Sequence, residues 1–125
     1  MAMIPTSLAT LGQIVSRLLE MYGLNAEEML RHHGVDPTML SKADARIPAR
    51  TWDLITREAA AQIPDPAFAL NSARCWHPSN LGALGYAWLS SSTLRTGLGR
   101  LVRYWRLLGE ASTSRLTESS SGLTL

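Results

Sequence analysis

Glycine and proline punctuate this chain so often that no long uninterrupted element can form in its first two thirds. Gly23, Gly34, Pro37, Pro48, Pro64, Pro66 and Pro78 each end or open a segment. Proline cannot continue a helix, and glycine readily takes the left-handed conformation in which helices stop. Between the breakers, apolar residues recur at three- and four-residue steps, which predicts short amphipathic helices. The reading is a mainly α fold of about six helices with a C-terminal β-hairpin, the truncated start of an α+β domain.

The segments read individually as follows. Ser7 to Tyr22 carries Leu8, Leu11, Val15, Leu18, Leu19 and Tyr22 on one arc, a helix ended by Gly23. Asn25 with Glu28 has capping-box spacing and opens a short helix that Gly34 stops. Asp36 before Pro37 pairs an N-cap with a first-turn proline, predicting one or two further turns. The polar "SKADARIP" reads as a loop into a helix from Ala49 to Ile63, with Trp52, Ile55, Ala59 and Ile63 on one face. Asp65 and Pro66 open "AFALNSARCW", and Pro78 breaks the chain again.

Residues 77–108, "HPSNLGALGYAWLSSSTLRTGLGRLVRYWRLL", raise a sharper question, because aromatics, glycines and arginines crowd together there. Two packed helices are expected, the first capped by Ser79 or Asn80 and lined by Leu81, Leu84 and Trp88. Gly82 and Gly85 allow close backbone approach. The second runs from Ser91 to Leu108 with Leu94, Leu98, Leu101, Val102, Trp105 and Leu108 as its core stripe. Arg95, Arg100, Arg103 and Arg106 then fall on the outer face. Trp88 and Trp105 are expected to be largely buried. After Gly109 the period shortens toward two, and "STSRLTE" and "GLTL" flanking "SSSG" predict the hairpin.

At 125 residues the chain fits one domain, residues 1–125, with enough length for a true core. A hydrophobic fraction of 46% against 18% charged residues is globular rather than disordered. The net charge is +2, and the basic residues, all arginine but for Lys42, are dispersed, so no nucleic-acid arm is present. Cys75 is alone, which excludes an intramolecular disulfide and fits a reducing, cytoplasmic setting. Neither a secretory leader nor an apolar run of membrane-spanning length is visible, so no membrane partner is expected.

Few residues promise reaction chemistry, and the chain is not expected to be an enzyme. Cys75 and His77 diverge at their spacing, and no nucleophile with an oriented base emerges. Adjacent His32 and His33 would be separated by about 100° on a helix, poor geometry for one metal, and no metal or other cofactor is expected. The one-turn "DPTML" is too short and too acidic at its start for a recognition helix. Trp52, Trp76, Trp88 and Trp105 leave two readings open, core packing or an apolar pocket. In the second, Trp76 and Trp88 are the walls and His77 and Tyr86 the polar handles for a small effector.

The 77–108 stretch also resembles the N-terminal effector-binding (arabinose-binding-like) domain of the bacterial AraC-type transcription regulators, in the subgroup of ornithine- and arginine-utilisation regulators. His77, Pro78, Gly82, Leu84, Gly85, Tyr86, Ser91, Thr93, Leu94, Leu98, Arg103 and Tyr104 follow the family's pattern. Upstream, Gly34, Asp36, Pro37, Leu40, Asp44, Arg46 and Pro48 are similar to a second block of the same family. Two departures are Ser92, where proline is frequent, and Gly97, where alanine is preferred.

The resemblance implies an effector-sensing and dimerising domain that acts on DNA only through a C-terminal helix-turn-helix region, expected to lie outside this chain. A homodimer is implied, with Arg103 and Tyr104 as its interface candidates. The alternative is a structural dimerisation module without a ligand.

Overall fold

The computed structural model describes residues 3–125. Strand β1 (Thr6–Leu8) passes through a 3-10 turn at Ala9–Leu11 into helix α1 (Gly12–Met21). Helix α2 (Ala26–His32), a 3-10 turn at Pro37–Ser41, strand β2 (Arg46–Pro48) and helix α3 (Ala49–Gln62) follow. Two more 3-10 segments, Phe68–Arg74 and Pro78–Leu81, lead to α4 (Ala83–Leu89), α5 (Leu94–Arg103) and α6 (Trp105–Leu108). Strands β3 (Thr117–Ser119) and β4 (Gly122–Thr124) form the expected antiparallel hairpin. The fold is mainly helical, with six α-helices among the described residues, as the periodicity predicts.

The predicted punctuation is present in atomic detail. Asn25 accepts the Glu28 N–H at 3.1 Å and Asp36 accepts the Thr38 N–H at 2.9 Å, each satisfying an amide left orphaned at a helix start. Gly23 and Gly34 stop their helices at φ 77° and 78°. The main core lies among α1, α2, β2 and α3, where Leu19, Leu30, Ile47 and Ile55 are fully buried. Each contributes about 1.5–3 kcal/mol by leaving water. A smaller core joins Leu8, Leu84 and Leu108, with Leu11, Leu101 and Trp105 packed on it. It ties the N-terminal strand to the last helices.

Several expectations are corrected. The helix predicted from Ser7 begins at Gly12, because Thr6, Ser7 and Leu8 pair antiparallel with Pro48, Ile47 and Arg46. The segment read as the loop "SKADARIP" supplies that partner strand. The helix predicted over 91–108 breaks at Tyr104 (φ −109°, ψ 17°), which lets α6 turn and carry Leu108 onto Leu8 and Leu84. The α5 stripe is also less covered than expected: Leu94 is exposed, and Leu98, Leu101 and Val102 are half-buried. Helix α5 packs chiefly on α4, where Gly97 meets the Trp88 ring. Trp88 and Trp105 are half-buried rather than largely buried.

The arginine face is divided. Arg95 forms an ion pair with Glu118 of the hairpin, and Arg103 and Arg106 are exposed. Arg100, expected to point outward, turns back onto the end of α4. Among the described residues no helix is long and apolar enough to cross a membrane.

Candidate functional site

The N-terminal strand is clamped to the end of α6 by backbone and side chain together. Thr6 N donates to Glu110 Oε2 at 3.0 Å, Glu110 N returns a bond to Thr6 O at 3.1 Å, and Ser7 bridges Gly109. Arg46 locks the seam. Its Nε donates to Thr6 Oγ1 at 2.7 Å, Nη2 to Thr6 O at 3.2 Å, and Nη1 to Leu107 O at 2.9 Å. The Thr6 N–H holds the Glu110 carboxyl below its ordinary value, and the Arg46 charge acts in the same direction.

This clamp leaves a hollow of about 390 Å³ between α3 and α6. Its walls are apolar, from Leu11, Trp52, Trp105 and Leu108, and its polar groups are Ser7, Asp53 and Ser112. Trp52 Nε1 donates to Ser7 Oγ at 2.8 Å and Trp105 Nε1 to Ser112 Oγ at 3.2 Å. Both indole donors are thereby satisfied, and each serine still carries a hydroxyl proton it can donate. Trp52 and Trp105 belong to segments 53 residues apart, so only the clamp reveals them as neighbours. The arrangement suits a small amphipathic molecule held against apolar walls that include both indoles, with Asp53 favouring a cationic group.

The four residues predicted to hold an effector are only partly brought together. Trp76 and Trp88, with Leu81 and Leu101, line a smaller hollow of about 170 Å³. His77 is engaged elsewhere. Its Nδ1 accepts the Ser79 N–H at 3.2 Å and lies 2.8 Å from Ser79 Oγ, while its own N–H donates to Asn80 Oδ1 at 2.7 Å. His77 is therefore the N-cap of Pro78–Leu81, in place of the expected Ser79 or Asn80. Tyr86 is 64% exposed and stands apart from both hollows.

Asn80, expected only as a possible cap, is completely buried. Besides capping His77 N, it donates from Nδ2 to Gln13 Oε1 at 2.8 Å, and its carbonyl accepts the Thr10 hydroxyl at 2.8 Å. It thus joins the 77–108 stretch to α1. The two interface candidates sit in the kink between α5 and α6. The Arg103 guanidinium carbon is 5.6 Å from the centre of the Tyr104 ring, and Tyr104 lines a third apolar hollow with Ala83, Leu84, Ala87 and Leu107. Cys75 is buried and donates to the Asn71 carbonyl at 3.5 Å, so it and His77 engage different partners. His32 and His33, expected to diverge, converge on Glu58.

The family model described as the arabinose-binding domain of AraC transcription regulators, N-terminal, matches residues 23–125. The ornithine utilization regulator of Pseudomonas aeruginosa is 30% identical over 94 residues, which is 75% of this chain and 28% of that protein. The chain thus spans little more than a quarter of the length of this curated relative.

Proposed function

We propose, from the premise that the chain belongs to the family of N-terminal arabinose-binding domains of AraC transcription regulators, that it senses a small effector and biases a DNA-binding part of the same regulator. The observation that carries the reading is the hollow between Trp52 and Trp105. Its volume lies in the range of about 300–1,000 Å³ usual for small-molecule sites, and it combines apolar walls with few polar groups. It also lies across the seam between β1 and α6, so a ligand there would touch both ends of the chain's fold. Differential affinity for two arrangements of that seam is what a population shift requires. The family and the relative are regulators of transcription, and the proposed role is binding rather than catalysis, exerted in the cytoplasm.

The smaller hollow at Trp76 and Trp88, walled also by Leu81 and Leu101, is the second place for an effector. Self-association is the other half of the proposal. Exposed Arg103 and Tyr104, beside an apolar hollow reaching Leu107, form the surface for a second copy. That surface also supports the alternative of a dimerisation module without a ligand.

Thermal unfolding of the regulator carrying this chain, scanned against arabinose, ornithine, arginine and neutral aromatic acids, tests the sensing role. A ligand at 100 times its Kd should stabilise by about 2.7 kcal/mol. If no compound shifts the transition or perturbs tryptophan fluorescence while the protein still sediments as a dimer, the ligand-free alternative replaces the proposal.

A further inference from the structure

His32 and His33 are consecutive, and on a continuous helix their side chains would diverge by about 100°. They converge because the helix ends between them. His32 is the last residue of α2, whereas His33 has left helical geometry (φ −96°, ψ 16°) just before Gly34 at φ 78°. The two imidazole rings lie 5.0 Å apart, tilted at 44°. Across from them, Glu58 in the middle of α3 offers the same oxygen to both. Its Oε2 is 3.4 Å from His32 Nδ1 and in direct contact with His33 Nε2. One donor atom from each residue lies within 4.8 Å of the others.

We propose that His32, His33 and Glu58 form a binding site for one divalent transition-metal ion of the zinc, cobalt or nickel class. Two imidazole nitrogens and a carboxylate oxygen are ligands for such ions, whereas calcium and magnesium ask for oxygen throughout. With zinc–ligand bonds of roughly 2.0–2.2 Å, tetrahedral ligand atoms stand about 3.4 Å apart. The His32–Glu58 separation already has that value. The His33–Glu58 contact has to open, and rotation at the ends of two side chains suffices for that.

Whichever of His33 Nε2 and Glu58 carries the proton of their contact would release it to solvent as the ion takes its place, since a metal-bound imidazole must present its lone pair. A hollow of about 200 Å³ opens beside the cluster, bordered by Asn25, Glu28, His32, Glu58 and Gln62. It leaves a fourth position for water, or for Glu28 one turn before His32. The side chains of His33 and Glu58 are 16% and 29% exposed, while that of His32 is 68% exposed, so the ion reaches the site from the His32 side.

The test is calorimetric titration of the untagged regulator with zinc chloride, and with cobalt chloride followed by visible absorption. One ion per chain is expected, with cobalt bands of tetrahedral intensity. His32→Ala, an exposed change that leaves the fold intact, and Glu58→Gln should each weaken binding by roughly tenfold or more. His77→Asn, which alters the third histidine of residues 1–125 and keeps a capping side chain, should leave binding unchanged. The proposal is overturned if the wild type takes up no ion, if His32→Ala binds as tightly as the wild type, or if magnesium in equal amount displaces the cobalt.

Discussion

The Arg100 guanidinium donates to the Ala87 carbonyl at 2.8 Å, reaching from the middle of α5 to the last turn of α4. The same Nη1 is 3.0 Å from Ser91 Oγ and 3.2 Å from Ser90 Oγ. Helix ends leave carbonyls without intrahelical partners, and a cation there is favoured by the helix dipole as well as by hydrogen bonding. Arg100 thus closes α4 and fixes the angle at which α5 leaves it. Arg100→Ala should cost about 1–2 kcal/mol in urea unfolding, the lower part of the range for charged hydrogen bonds because the site is half-exposed. Arg103→Ala should stay within about 0.5 kcal/mol, as surface changes do. Equal losses for the two variants would refute the assignment.

Asn80 supports a second prediction. Its buried amide satisfies His77 N and Gln13 Oε1 together, and truncation strands both. Leaving a buried polar group unpaired costs about 1–3 kcal/mol, so Asn80→Ala should lose on the order of 2–4 kcal/mol by the same reckoning. Asn80→Asp keeps the acceptor for His77 N but places an anion against Gln13 Oε1. It should rescue little, and a near-native melting temperature for Asn80→Asp would show that the bond to Gln13 contributes nothing.

Glycines in the same stretch should respond in opposite senses. A Cβ at Gly85 would stand 1.7 Å from the Pro78 carbonyl oxygen, a backbone atom that cannot step aside. Gly85→Ala should therefore cost more than about 3 kcal/mol, beyond ordinary overpacking. Gly99 lies within α5 with nothing within 4 Å of its would-be Cβ. Gly99→Ala should stabilise by about 0.5–1 kcal/mol through helix propensity and a less flexible unfolded chain. Gly97 falls between them. Its Cβ would meet the Trp88 ring at 3.1 Å, which gives a packing reason for glycine at this position.

The sequence signals that succeeded were local ones. Asn25, Gly34 and Asp36 act within a turn of their own position, and their caps and stops appear where expected. Periodicity likewise located α1 and α3. What it missed depends on distant partners: β1 is a strand because Arg46–Pro48 lies beside it, and three residues carry too little alternation to say so. Arg100 looked like solvated charge because a helical wheel records angle and not the length of a side chain that can curl back. The hollow at Trp52 and Trp105 follows from the Arg46 and Glu110 clamp, which no spacing announces. His32 and His33 were misjudged because the wheel assumed a helix that ends between them.

Acid should weaken the clamp. The Glu110 carboxyl sits below its ordinary 4.5 in the folded chain, chiefly through the Thr6 N–H it accepts. A depressed folded value means that its contribution is fully present above the unfolded value and is lost as pH falls through the folded one. Stability should therefore decline below about pH 4.5, the unperturbed glutamate range, and Glu110→Gln should decline less steeply there while being weaker at pH 7. Asp36 and Glu58 are shifted in the same direction, so some acid sensitivity should persist in the variant. Superimposable pH profiles for the two proteins would remove Glu110 from the clamp.

Effector binding should separate the tryptophans. If the larger hollow receives the ligand, Trp105→Phe should reduce affinity by about tenfold. It keeps an aromatic wall but removes the bond to Ser112 Oγ and part of the stacking surface, a loss near 1.4 kcal/mol. Asp53→Asn should weaken a cationic ligand and leave a neutral one unaffected, because the carboxylate adds attraction only for a positive charge. Trp76→Phe, at the smaller hollow, should change little. These variants are best compared by titration with whichever compound shifts the unfolding transition. Loss confined to Trp76→Phe and Trp88→Phe would move the site to the smaller hollow, where the Trp76 and Trp88 rings share a wall with Leu101. Loss in Trp105→Phe without any charge dependence at Asp53 would keep the site and remove the preference for a cation.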